Sequence, residues 1–250
     1  MPRFLSIALV FALWEALPRA GILPAETFPP FSTVVATTSQ LFLTGEMWPH
    51  LFSSMYRWAV AFVISLAFGI PAGIAMARLS AVRNFLDPIL TATYPVPKAA
   101  LIPIIMLWLG AGDLSKILVI ILGTSIPLVI SAFHGAQGVE KKLVWSALAM
   151  GTDRRLALFK VILPAALPDI LSGVRMALSV SLIALLGSEM IARQSGLGYL
   201  LFSSLDVKAY DLSYATMLVI AIMGFAFDWG FVALMGRSLV WMEREEGSDG

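Results

Sequence analysis

Residues Trp58 to Ala77 form a run of twenty amino acids without a charged side chain. An α-helix needs about 20 mostly apolar residues to cross the roughly 30 Å hydrocarbon core of a bilayer, so this run specifies a membrane span. It is not alone. Ile117 to Phe133 is also uncharged, Met176 to Ala192 is interrupted only by Glu189, and Leu212 to Gly236 only by Asp228. Two shorter runs, Phe4 to Leu17 with Glu15 and Ala99 to Gly112 with Pro103, bring the set to six. The expected fold class is therefore all-α integral membrane. Spans at about 4–17, 58–77, 99–112, 117–133, 174–192 and 212–236 lie in a single transmembrane domain of residues 1–242, and an acidic tail, 243–250, reads as disordered. Only 13% of the 250 residues are charged and 59% are hydrophobic, against about 25% charged in soluble domains.

The first run follows Arg3 and has the outline of a signal peptide. The sequence after it, Leu17-Pro18-Arg19-Ala20, is a poor cleavage site, and a retained first helix is expected. With the N-terminus in the cytoplasm and six crossings, the inner segments hold Arg3, Arg78, Arg83, Lys141, Lys142, Arg154, Arg155, Lys160, Arg175, Arg237 and Arg244. The outer segments hold only Arg19, Arg57, Lys116, Arg193 and Lys208, with Lys98 unassigned. Lys and Arg concentrate on the cytoplasmic side of short loops, so both termini are predicted to be cytoplasmic. The net charge of +1 gives no electrostatic case for nucleic acid, and the absence of cysteine excludes disulfides, thiolate metal sites and cysteine nucleophiles.

Residues 21–56 connect the first two spans. Phe31 to Leu43 reads either as a short helix at the interface or as a solvated loop. Asp87-Pro88 and Tyr94-Pro95-Val96-Pro97 predict a break before the third span, because a residue preceding proline disfavours the helical region. Broken backbone at membrane depth is tolerated only inside protein or along a wet cavity.

The longest inner connection, His134 to Ser172, holds the largest basic excess. Leu143 to Val161 is expected to be helical, with Leu156, Phe159 and Leu163 on one face at spacings of three and four, and to end at Leu163-Pro164. A helix of this kind docks on either the lipid surface or another protein. The stretch from Gly151 to Leu163-Pro164 resembles the signature loop of binding-protein-dependent ABC importer permeases: Glu-Ala-Ala, three residues, Gly, and about nine positions on an apolar-Leu-Pro. Trp145-Ser146-Ala147 stands where that family has Glu-Ala-Ala, so the acidic residue is missing. Trp48 to Arg57, Gly69-Ile-Pro-Ala-Gly73, Pro95-Val-Pro-Lys98, Leu107-Trp-Leu-Gly110 and Ser195-Gly-Leu-Gly-Tyr199 are similar to the members handling nitrate, sulfonate, taurine and related solutes.

The resemblance implies a type I ABC importer permease fold of six transmembrane helices with a cytoplasmic coupling segment, 140–168, in the bacterial inner membrane. It implies ABC ATPase subunits, an extracytoplasmic substrate-binding protein and a second permease subunit, an identical copy, as partners. It assigns ATPase coupling to Ala147, Gly151, Asp153, Arg154, Arg155, Leu156, Phe159, Leu163 and Pro164. No Gly-x-x-x-x-Gly-Lys-Ser/Thr loop is present, so ATP and Mg are expected on the partner ATPase, with no cofactor on this chain and no catalysis by it. The competing class is a secondary carrier driven by an ion gradient, which requires a relay of buried ionisable groups.

Tyr94, Pro97, Trp108, Ser125 and Glu189 are candidates for the translocation path, with core packing the competing reading for Tyr94, Trp108 and Ser125. A charge at the bilayer centre costs about 2.5–3.5 kcal/mol on insertion scales. Glu189 is accordingly either a pathway residue or a hydrogen-bonded structural acid near the outer end of its helix. Asp228 reads as an inter-helix tie to an arginine such as Arg175. Gly151 is expected to permit a sharp turn, with close packing as the alternative. Arg154 and Arg155 pair with acids on an ATPase or simply follow the positive-inside bias. Ser195 to Tyr199 either caps an outer cavity or forms a plain turn. His50 and His134 are too far apart in sequence to suggest a metal site.

Overall fold

The computed structural model describes residues 2–238; the acidic tail expected at 243–250 lies outside them. Among the described residues the chain is helical throughout, without a strand. The helices are α1 (Pro2–Arg19), α2 (Phe31–Thr44), α3 (Met47–Arg78), α4 (Ser80–Thr93), α5 (Ile102–Leu109) and α6 (Asp113–Gly138). They continue with α7 (Lys141–Ala149), α8 (Arg154–Ala157), α9 (Leu163–Ala192), α10 (Leu197–Asp206) and α11 (Tyr210–Ser238). The described residues fall into two compact units, 2–57 with 185–225 and 58–184 with 226–238.

Among the described residues, four helices are long and apolar enough to cross a membrane: Met47–Arg78, Asp113–Gly138, Arg154–Ala192 and Tyr210–Met235. Their boundaries exceed the uncharged runs because charged residues end the run without ending the helix. The span expected at 99–112 follows a break, as Tyr94-Pro95-Val96-Pro97 led one to expect. It is the second limb of a pair, Ser80–Thr93 and Lys98–Leu109, bent by 88°. Pro95 and Pro97 supply the break, since neither has an N–H to continue a helical ladder. Pro88 does not break its helix, contrary to expectation; α4 runs through it, as α3 runs through Pro71 and α6 through Pro127. The 18 residues of α1 include Arg3, Glu15 and Arg19, which shorten its uninterrupted apolar stretch.

In the larger unit, α6 is the buried centre. Gly69 and Gly73 of α3 face it: a Cβ on Gly69 would lie 2.9 Å from Leu128 Cβ, and one on Gly73 only 2.4 Å from the carbonyl oxygen of Val129. In lipid, where apolar burial drives helix association weakly, such small-xxx-small approaches maximise dispersion contact. Gly173 of α9 does the same on the other side, its hypothetical Cβ falling 2.2 Å from Ser131 Cβ. Ser65 and Thr124 place their hydroxyls 2.5 Å apart. Trp58 donates its indole N–H to Ser181 at 2.8 Å and stacks on Phe227 at 3.9 Å. Arg175 and Asp228 form a two-pronged pair at 2.8 and 2.9 Å, the tie expected of Asp228. In the smaller unit, Trp14 of α1 donates to the Pro29 carbonyl and packs against Phe28, Phe31 and Tyr214. Phe31 to Thr44 is the helix α2, not a loop.

Gly73→Ala is expected to lower the melting temperature of the detergent-purified chain, with a cost of about 1–3 kcal/mol for overpacking against backbone that cannot move aside. Gly230→Ala, where nothing lies within 4 Å of the new methyl, is the matched control and should melt as the parent does.

Candidate functional site

Two local structures stand out. The first is the segment joining α6 to α9. It was expected to be helical from Leu143 to Val161, with a turn at Gly151 and an end at Leu163-Pro164; it forms α7 and α8 on either side of that turn, and the second does not end there. After α7 the chain turns at Gly151, φ +86°. The Gly151 N–H donates to the Leu148 carbonyl at 3.0 Å and the Thr152 N–H to the Ala147 carbonyl at 3.1 Å, the paired bonds of a Schellman C-cap. A Cβ on Gly151 would meet nothing within 4 Å. The glycine therefore serves the left-handed backbone conformation and not close packing. Asp153 then caps α8, its carboxylate accepting from the Leu156 N–H at 2.7 Å.

From α8 the chain enters a π-helical turn, Leu158–Ile162, and continues as α9, giving one helix from Arg154 to Ala192 through Pro164 and Pro168. Pro164 lacks an N–H and its ring crowds the carbonyl four residues back, that of Lys160. The wider turn, in which the Leu163 N–H reaches the Leu158 carbonyl five residues back, relieves that conflict without breaking the helix.

The segment is anchored by small buried residues. Ala147 and Ala157 are buried. Ile162 and Ala166 join the core with Leu128 and Ala132 of α6, and Val144, Leu158 and Leu163 pack against it. The opposite side is bare: Trp145 is 66% exposed, Met150 80%, Phe159 64%, and Leu156 is exposed with them. Beside them lies a groove of about 460 Å³ lined by Trp145, Leu148, Arg154, Arg155, Leu158 and Arg78. Arg154 and Arg155 are exposed. Large apolar side chains exposed together and rimmed by charge mark an interaction surface.

The second structure is centred on Glu189 in the smaller unit. Its carboxylate is fully buried and accepts from three groups. Arg57 donates at 2.7 Å, the Ser54 hydroxyl at 2.8 and 2.9 Å, and the Gly198 N–H at 2.9 Å. Arg57 also donates to the Ser195 carbonyl and hydroxyl at 2.8 and 2.6 Å. The Leu197 N–H donates to Ser54 Oγ at 2.8 Å, and the Gly196 N–H to His50 Nδ1 at 3.2 Å. The N-terminus of α10 is thus held by a carboxylate, which suits the exposed N–H groups and positive dipole end found there. Gly196, φ +113°, and Gly198 admit the carboxylate; a Cβ on Gly196 would sit 2.1 Å from Glu189 Cδ. The Ser195–Tyr199 turn is a fastened one, and Glu189 has the structural, hydrogen-bonded arrangement. Arg57 and Ser54 escaped the sequence reading, which counted Arg57 only as an outer charge. The available signal was depth: both Arg57 and Glu189 fall near the outer ends of their predicted spans, and a buried acid requires a cation.

Of the other path candidates, Tyr94 and Pro97 sit at the bend between α4 and α5. Tyr94 lines a cavity there. Trp108 is 75% exposed on α5, and the Ser125 hydroxyl is committed to the Ile121 carbonyl of its own helix at 2.6 Å.

Residues 69–237 match the family described as binding-protein-dependent transport system inner membrane component. The chain belongs to that family. It is 34% identical over 248 residues to the putative aliphatic sulfonates transport permease protein SsuC of Bacillus subtilis, covering 99% of this chain and 90% of that one. It is 35% identical over 241 residues to the taurine transport system permease protein TauC of Escherichia coli, covering 94% and 88%. In structure it is similar to a chain of the inward-facing MetNI methionine ABC transporter, with a TM-score of 0.65 at 15% identity, covering 78% of this chain and 98% of the other. The fold is that of a type I ABC importer permease, and this family member is a multi-pass membrane transport subunit.

Arg57→Ala should destabilise the purified chain by about 3–5 kcal/mol, because it strands a buried carboxylate. Adding Glu189→Gln to that variant is expected to recover part of the loss. The readout is the midpoint of thermal unfolding in detergent; a double variant no more stable than the single would show that the charge is not the cause.

Proposed function

We propose that this permease subunit forms the membrane path of an ATP-driven importer for small organic anions of the aliphatic sulfonate and taurine class. Segment 140–168 docks on a separate ATPase. The exposed Trp145, Met150, Leu156 and Phe159 beside the arginine-lined groove support this reading most directly. Their presentation by a capped turn and buried alanines makes them a formed surface and not a frayed loop. ATP and Mg belong to the partner ATPase, and an extracytoplasmic binding protein delivers the solute. A second, identical copy completes the membrane path.

Both termini lie in the cytoplasm of a bacterial cell, and α1 is the first of six spans in its inner membrane. Leu5, Ile7, Leu9 and Val10 of α1 are exposed, as lipid-facing residues are. Its Glu15 is paired with Arg19 at 2.6 Å and accepts from the Ser32 N–H at 2.9 Å, which lowers the cost of the charges. Two acids of the other spans are engaged by an arginine, Glu189 by Arg57 and Asp228 by Arg175. This pairing suits structural ties better than the open relay that an ion-driven carrier needs.

The mechanism is alternating access. ATP draws two ATPases together, the docked segments follow, and the path opens outward to receive solute and then inward as ATP is hydrolysed. Phe159→Asp should abolish co-purification of a P-loop ATPase from native membranes in mild detergent, while Ser172→Asp, on an exposed position outside the surface, should retain it. Retention by Phe159→Asp would remove the segment from the ATPase contact. Uptake that persists under vanadate would remove ATP as the driving force.

A further inference from the structure

The bend between α4 and α5 opens on a cavity of about 350 Å³ whose walls include Tyr94, Lys98, Ile126, Ser131, Met176 and Val180. Lys98 is the one charged residue among those lining it. Tyr94 and Ile130 also line a second cavity, of about 450 Å³, that extends along α6 to Phe133, His134 and Gln137. The two therefore adjoin along one side of α6.

Lys98 is half-buried. Its ammonium donates to the carbonyl of Thr93 and, at 2.8 Å, to that of Val96. A lysine ammonium has three donors, so these bonds fix its position and leave one for a further acceptor. Ionisable groups at membrane depth are costly and face protein or water, and broken helices at that depth line substrate cavities. One fixed cation, two hydroxyls (Tyr94 and Ser131) and an aliphatic wall make a site complementary to a small solute with an anionic head and a short apolar stem. The volume falls within the range of small-ligand sites, about 300–1,000 Å³.

We propose that Lys98 is the anion-recognising residue of the translocation path, holding the sulfonate or equivalent head group while Ile126, Met176 and Val180 receive the stem. This rests on the importer function proposed above. The bonds to Thr93 and Val96 give Lys98 a second task, capping the last turn of α4, and the test separates the two.

The complex of permease, ATPase and binding protein is reconstituted in proteoliposomes, with taurine and 1-butanesulfonate as probes. Lys98→Gln keeps an N–H donor for the α4 carbonyls and removes the charge. Its uptake of both probes should fall about tenfold or more, the loss expected of one charge-assisted hydrogen bond. Binding-protein-stimulated ATP hydrolysis should stay within about twofold of the parent, as it would not if the coupling apparatus were damaged.

The chain contains no cysteine, so Lys98→Cys gives a single reactive thiol on it. Treatment with an ethylammonium methanethiosulfonate should restore uptake, and the sulfonatoethyl reagent should not; each reagent is also applied to the parent complex as a control. Normal uptake by Lys98→Gln, equal rescue by both reagents, or joint loss of uptake and stimulated hydrolysis would each overturn the assignment. A parent complex that hydrolyses ATP but accumulates neither sulfonate overturns the substrate class itself. Parent uptake with unaffected Lys98 variants overturns this inference alone.

Discussion

Hydrocarbon offers no hydrogen bond, and every polar group this chain carries into the bilayer must find its partner within the protein. The long helices satisfy most of that demand for the backbone, pairing N–H and C=O groups locally except where a proline has no N–H to give. The interesting places are those where helix geometry fails. At Pro164 the ladder would lose a bond, and a π-helical turn shifts the register by one residue so that the helix continues to Ala192. At Pro95 and Pro97 no such repair is made. The chain bends by 88°, and the carbonyls of Thr93 and Val96 are taken up by the Lys98 ammonium. The same chemical problem, proline in a membrane helix, thus has two outcomes here: a continuous helix and a cavity-lining break.

Charges obey the same rule more strictly, because stranding one costs several kcal/mol where stranding a neutral group costs less. Glu189 is satisfied by a guanidinium, a hydroxyl and a backbone N–H, and the guanidinium is itself held by Ser195. These contacts bring residues of α3, α9 and the start of α10 to one point in the smaller unit. Once each partner is fully engaged, the buried acid specifies a unique arrangement. In the larger unit that role falls to close packing. Gly69, Gly73 and Gly173 let backbones approach α6 so nearly that an added methyl would overlap it, and the helix faces can meet in one register only.

The long apolar helices were legible because bilayer thickness converts directly into a length of uncharged sequence; the runs at 58–77, 117–133, 176–192 and 212–236 each fall inside one. The Arg175–Asp228 pair was legible for a related reason, an acid in a span needing a cation on a neighbouring helix at similar depth. Other features turn on local competition that periodicity does not register. Leu156, Phe159 and Leu163 have helical spacing, but that spacing does not show that the expected turn at Gly151 ends α7 with a left-handed C-cap satisfying two orphan carbonyls at once. Asp87-Pro88 looked like a break, but proline removes only one bond and α4 tolerates it. In the Glu189 cluster, the partners on α3 and at the start of α10 are 132 and 9 residues away along the chain. No one-dimensional spacing encodes that meeting.

The docking segment also illustrates how a signature loop can lose its acidic residue and remain well formed. Trp145 stands where the family pattern has glutamate. A glutamate in the first half of a short helix contributes charge and favourable interaction with the helix N-terminus, but it is not what folds this segment. The fold rests on Ala147 and Ala157 against the core, the Gly151 turn and the Asp153 cap, all present. Trp145 instead adds a large, 66%-exposed aromatic to a segment that also exposes Met150 and Phe159. A partner surface matched to this chain therefore meets a more apolar and less acidic face. If the segment docks as proposed, its complement is a groove that accepts an indole and offers acids to Arg154 and Arg155. Because α8 continues into α9 without a break, a displacement imposed on that face enters a helix reaching Ala192. The π-helical turn at Leu158–Ile162 is the point where that helix is least regular and most able to bend.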